Sequence, residues 1–181
     1  MSAQYKTMIF DALGSNIDFP LDIFAKILYA QLYVESSFRP DAVSPVGAQG
    51  LAQFMPGTWE QWGHGDPFNP EDAIAAQIRY MEFLYGRFGE IPHPLERMKC
   101  ALASYNAGRG NINRMLAAAR NQEGLPASYS VWVSQGKPKG KWQQWWYASP
   151  LLETVTGKHS EETRRYIDKI FAYVISPGLA L

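Results

Sequence analysis

Apolar residues recur at three- and four-residue intervals in segment after segment of this 181-residue chain, and nowhere do they alternate for long enough to build a substantial sheet. That pattern confines the fold to packed helices, with the breaks between them written in proline and glycine. Residues 20–36 read as a helix with Pro20 in its first turn and Leu21, Phe24, Leu28 and Leu32 along one face. Residues 37–50, with two prolines and two glycines, then interrupt regular structure. Short helical pieces are expected over 50–55 and after Pro56. Asn69 stands where it can cap a helix opened by Pro70, whose inner face is Ile74, Ile78, Met81, Leu84 and Phe88. Pro94 opens another, with Leu95, Met98 and Leu102 inward, ending near 107–108. Residues 111–120 and 161–175 are also expected to be helical, the second stopped by Pro177 and Gly178. The expected class is mainly α, in one domain over 1–181, with an irregular tryptophan-rich segment over 121–160 that holds Trp132, Trp142, Trp145 and Trp146.

Charge and cysteine content narrow what such a bundle can do. The 17 basic and 17 acidic side chains cancel, so no net field draws the chain to nucleic acid or to an anionic membrane. Cys100 is the single cysteine, which rules out an intramolecular disulfide and leaves stability to packing. No apolar stretch approaches a membrane span, so no stable membrane insertion is expected. The start, MSAQYKTMIFDALGSNIDF, lacks the basic residues and apolar run of a secretory signal. His64, His93 and His159 are dispersed without metal-ligand spacing, and no base is positioned for Ser36 or Ser37 as a nucleophile. Gly108-Arg109-Gly110 lacks the strand and third glycine of a dinucleotide loop. No metal and no cofactor are expected.

Glu35 sits where an apolar helix gives way to an irregular loop, a place that can aim a carboxyl into a cleft. Taken singly, such a residue is usually a solvated surface group. Three blocks change the weight. They are Glu35-Ser36-Ser37-Phe38 continuing to Trp59, then Ser104-Tyr105-Asn106-Ala107-Gly108, then Glu162-Thr163-Arg164-Arg165-Tyr166. In content and order they resemble the motifs of the lytic transglycosylases of the soluble (Slt) type, a lysozyme-like family, and the resemblance spans roughly residues 20–175.

The resemblance implies a lysozyme-like single domain with a groove between helical lobes. It implies that Glu35 is the one catalytic glutamate, that Ser44, Gln53 and Met55 line the glycan groove, and that the Tyr105 hydroxyl fixes the carboxyl. Asn106 orients substrate or backbone, and Glu162 stands at the far wall. Two departures stand out: Ala52 replaces a methionine in Gly50-Leu51-Ala52-Gln53, widening the groove floor, and Ser104 replaces an alanine. Neither removes a chemical group. The implied reaction needs one carboxyl, since the muramyl 6-hydroxyl is the acceptor, whereas a glycoside hydrolase normally needs two carboxylates.

Plainer roles stand beside these. Ser44, Gln53 and Asn106 can serve loop backbone or helix ends. Met55 and Tyr105 can be core, Glu162 can answer a helix dipole, and the tryptophans can cover the core instead of stacking on sugars. Lys137, Lys139 and Lys141 form a basic loop, solvated by default. The sequence thus points to an enzyme that acts as a monomer on peptidoglycan glycan strands. The expectation is that it is made in the cytoplasm and reaches the wall at lysis, as a phage endolysin that needs a pore-former, or in a virion; a bacterial enzyme whose leader has been removed is the other reading. A goose-type hydrolytic lysozyme and a non-catalytic wall-binding or phage tail module are the competing readings.

Overall fold

A computed structural model of the chain describes residues 2–14, 17–124 and 141–176. Trp132, Lys137, Lys139, Pro177 and Gly178 lie outside the described residues. Among those described, every regular element is helical, and strand-like pairing is confined to isolated bridges. The chain divides into two compact units, Met1–Phe83 with Asp168–Leu181, and Leu84–Ile167.

In the first unit, α1 (Ser2–Ala12) lies against α2 (Leu21–Ser36) and buries Tyr5 and Ile9. Helix α1 carries no detectable periodicity in the sequence, because its inward face amounts to little more than those two residues. Helix α2 buries Phe24, Ile27, Leu28 and Leu32 completely. Leu21 is an exception to the expected face, 40% exposed, because it is the first residue of the helix and overhangs the core.

Residues 50–55, expected to be helical, are a bridged turn instead. Gln49 and Phe54 exchange backbone hydrogen bonds of 2.9 and 3.1 Å, and Gln49 also bridges to Val43. The reason lies in two left-handed residues, Gly50 (φ +72°) and Gln53 (φ +51°), which no continuing helix accommodates. Helix α3 (Pro56–Trp62) follows. Helix α4 (Pro70–Gly86) starts as expected, with Asn69 Oδ1 accepting from the Glu71 and Asp72 amides at 2.9 and 3.3 Å. It is tied back to α3 by the Arg79 guanidinium, which donates to the Trp62 carbonyl at 2.8 Å.

The second unit is organised on α6 (Arg109–Gln122). That helix packs against α5 (Pro94–Ala107), α7 (Trp145–Ala148), α8 (Leu152–Thr156) and the 3-10 turns Lys141–Gln143 and Ser149–Leu151. The last helix, α9 (His159–Val174), begins in this unit and ends in the first. On α5, Met98 and Leu102 are buried as expected, but Leu95, in the first turn, is 39% exposed. Cys100, on the same helix, is buried, and that burial pushes its thiol well above the usual range.

Among the described residues of the tryptophan-rich segment, those from Lys141 to Ala148 are tied to α5. Buried Glu96 takes the Trp145 amide on one carboxylate oxygen and the Lys99 ammonium on the other, at 2.8 Å. Trp142 and Trp145 fill the core, while Trp146 stays 63% exposed.

Two predictions follow from these contacts. A Cβ at Gly50 would lie 1.9 Å from the Pro67 carbonyl oxygen, whereas one at Gly47 (φ +88°) meets nothing within 4 Å. Gly50→Ala should therefore lower the thermal midpoint by about 5 °C or more, and Gly47→Ala by clearly less, since it adds only left-handed strain. The other concerns Glu82 on α4, which has one carboxylate oxygen buried without a hydrogen-bond partner, and burial raises its pKa. A carboxyl that holds its proton more tightly when folded stabilises at low pH and loses that contribution as pH rises through the folded value. Glu82→Gln should melt higher than wild type at neutral pH, with the two curves meeting below about pH 4, the ordinary glutamate value. Melting curves across pH check it.

Candidate active site

Glu35 occupies the last turn of α2 and is half-buried. The way this helix stops decides where its carboxyl stands. Ser36 Oγ donates back to the Leu32 carbonyl at 3.1 Å, and the Ser37 amide bonds the Tyr33 carbonyl at 2.8 Å. Ser37 and Phe38 are both left-handed, at φ +55° and +62°, so the chain turns sharply away directly after Glu35 and Ser36. Left-handed strain in two successive non-glycine residues needs support from surrounding packing. The Phe38 ring supplies it, lying 4.7, 5.5 and 5.9 Å from the rings of Tyr29, Tyr33 and Tyr5. Arg39 completes the stop, its Nε donating to the Ser36 carbonyl at 3.1 Å.

The loop beyond is braced from within by two of the residues singled out in the sequence. Gln53 Nε2 donates to the Ala42 carbonyl at 3.1 Å and to the Gly50 carbonyl at 2.8 Å, while the Gly50 amide bonds Ala42 O at 2.8 Å. Both amide hydrogens of Gln53 are thus committed to the loop. What its side chain offers an outside group is its carbonyl oxygen, an acceptor. Ser44 Oγ accepts the Ala48 amide at 3.0 Å, closing a turn through Gly47, so the hydroxyl keeps its hydrogen to donate elsewhere. The plainer role foreseen for both, service to loop backbone, is present in full. Met55 is 44% exposed just ahead of α3, which removes core packing as its explanation.

In the second unit, Tyr105 and Asn106 lie on the last turn of α5, Tyr105 half-buried and Asn106 exposed. Gly108, at φ +85°, ends α5 and starts α6 in a single residue. Its amide donates to the Ser104 carbonyl at 2.9 Å, and Asn111 Nδ2 donates to the Ala107 carbonyl at 2.7 Å, so the end of α5 is closed from both sides. Asn106 Oδ1 accepts from Thr163 Oγ1 at 2.7 Å. This bond joins the second sequence block to the third through Thr163, a residue with no expected role, and not through its neighbour Glu162. Thr163 is buried, whereas the Glu162 side chain is 71% exposed, with His159 Nδ1 at 3.7 Å. Asn106, Glu162, His159 and Thr156 line a cleft of about 430 Å³ that is predominantly polar in its side chains. Among the described residues, no group of three or more histidines, cysteines and carboxylates is arranged to hold a metal ion, and no helix is long and apolar enough to cross a membrane.

Residues 22–126 match the family model described as the transglycosylase SLT domain. The chain is 33% identical over 156 residues to a membrane-bound lytic murein transglycosylase F of Desulfosudis oleivorans, covering 82% of this chain and 32% of the relative. It is 31% identical over 173 residues to the protein of the same name from Maricaulis maris, covering 91% of this chain and 34% of the relative. The chain thus spans about a third of the length of the curated relatives it matches. Among solved structures, it superposes on the 70 kDa soluble lytic transglycosylase Slt70 of Escherichia coli with a TM-score of 0.57 and 25% identity, over 92% of this chain and 23% of that one.

Thr163→Val keeps the shape of the side chain and removes its bond to Asn106. It should cost about 1 kcal/mol. Adding Asn106→Ala to it should cost less than Asn106→Ala does alone, a coupling that urea unfolding of the four proteins measures.

Proposed function

Because this chain belongs to the transglycosylase SLT domain family, we propose that it cleaves the β-1,4 bond between N-acetylmuramic acid and N-acetylglucosamine in peptidoglycan, closing a 1,6-anhydro ring on the muramyl sugar. The departing sugar oxygen needs a proton, because an alkoxide is a poor leaving group. Glu35, protonated, supplies it. The muramyl acetamido oxygen stabilises the anomeric carbon as the bond breaks, and the Glu35 carboxylate then takes the proton of the 6-hydroxyl as that oxygen bonds to the same carbon. The carboxyl ends the cycle protonated, as it began, and no water enters. Attack by a tethered hydroxyl gains from proximity, which is what lets one carboxyl do the work of two.

The observation that supports this reading best is the ending of α2. A carboxyl that must lend a proton and reclaim it has to keep its place between the two steps, and the braced turn after Glu35 gives it a fixed base. In the same reading Ser44, through its free hydrogen, and Gln53, through its carbonyl oxygen, hold sugar substituents, with Met55 as an exposed apolar contact beside them. Asn106 keeps the role of its motif in orienting substrate or backbone, and Glu162 lines its cleft as a contact to the peptide part of the polymer.

Digestion of purified sacculi followed by mass spectrometry tests the proposal. Wild type should release muropeptides ending in 1,6-anhydro-muramyl groups, and Glu35→Gln should slow release about a thousandfold with its fold intact. Products with reducing ends only would identify a hydrolytic lysozyme instead. A wild type that binds sacculi and releases nothing would identify a wall-binding module.

A further inference from the structure

Two fully buried amides meet one helical turn before the candidate carboxyl. Gln31 on α2 and Gln77 on α4 are both completely excluded from solvent. Gln77 Nε2 donates to the Leu28 backbone carbonyl at 3.1 Å and to Gln31 Oε1 at 2.9 Å. The orientation of both amides follows from chemistry. A backbone carbonyl can only accept, so the Gln77 atom facing Leu28 has to be its nitrogen; the Gln31 atom facing that same nitrogen has to be its oxygen. Gln31 is therefore clamped by its oxygen, and its NH2 group is turned away from Gln77.

Gln31 stands four residues before Glu35, on the same face of α2 and one turn below it. Helical side chains lean toward the N-terminus, so the Glu35 carboxyl lies over the turn that carries Gln31. Neither residue is without an interaction partner. Packing alone gives no reason for amides here. Buried polar groups cost free energy unless bonded, and Gln77 Oε1 is buried without a hydrogen-bond partner, whereas an apolar pair of equal volume would carry no such cost.

We propose that Gln31, locked by Gln77, is a positioning residue that holds one oxygen of the Glu35 carboxyl through its NH2 group, leaving the other aimed at substrate. The inference rests on the reading of Glu35 as the acid–base group. Its distinctive consequence is that a rigid carboxyl matters for turnover and not for substrate binding.

The test compares steady-state release of anhydro-muropeptides from soluble glycan strands by wild type, Gln31→Met, Gln77→Met, the double Met variant and Gln31→Asn, each with its thermal midpoint. The double variant replaces the amide pair by an apolar pair and is expected to fold with a midpoint at or above wild type. Its kcat should nevertheless fall about 10- to 100-fold with KM within about threefold. Wild-type kcat in a folded double variant overturns the proposal. If the Met variants do not fold, Gln31→Asn decides: it keeps an amide but is one methylene too short, so a folded Asn variant with wild-type kcat overturns the proposal equally. Failure of the parent reading looks different, because then wild type forms no anhydro ends or Glu35→Gln remains active.

Discussion

A helix that stops leaves its last carbonyls without donors from its own backbone, and the way α2 meets that demand governs the first unit. The Ser37 amide and Arg39 answer two of those carbonyls, of Tyr33 and Ser36, while Ser36 Oγ adds a second donor to the Leu32 carbonyl one turn back. The left-handed step at Ser37 and Phe38 throws the chain off the helix axis and plants an aromatic ring among three tyrosines. One more turn of helix would carry Phe38 away from them and move the loop that follows. Glu35 is the last acidic residue before this stop, so its position is inherited from the termination as much as from the helix.

Several residues picked out for chemistry turn out to hold backbone as well. Gln53 has a left-handed main chain and an amide nitrogen bonded to two loop carbonyls, so the same side chain that presents an acceptor also secures the conformation that presents it. Asn106 is held by Thr163 across 57 residues of sequence. Scaffold and site are not separate populations of residues in such a small fold. Replacing one of these side chains removes a contact and loosens the platform that carried it, so the two effects separate only when shape is preserved.

How legible this was depended on how local each cause is. Helices α2, α4 and α5 could be read because proline, asparagine and an apolar stripe mark them within a few residues of their ends. Helix α1 could not, since a short helix with two buried residues leaves hardly any periodicity to detect. The turn over 50–55 looks helical in sequence because Gln53 is left-handed without being glycine, a conformation sustained by hydrogen bonds to Ala42 and Gly50 that no local pattern announces. Leu21 and Leu95 sit on the expected faces and fail only by standing in the first turn. The three motif blocks pointed to Glu35, Gln53 and Asn106 by resemblance, whereas Thr163 and the Gln31–Gln77 pair act through partners tens of residues away, which only the folded chain brings together.

The burial of Cys100 has a practical corollary. A thiol that is walled off and kept protonated does not react with maleimides or with oxidants at ordinary rates, since the thiolate is the reactive form. The native chain is in effect cysteine-free to a labelling reagent. A single cysteine introduced on the surface, beside Met55 or at Trp146 for instance, would be the one site to take a fluorophore or spin label, with no need to remove the natural residue and disturb the core of α5.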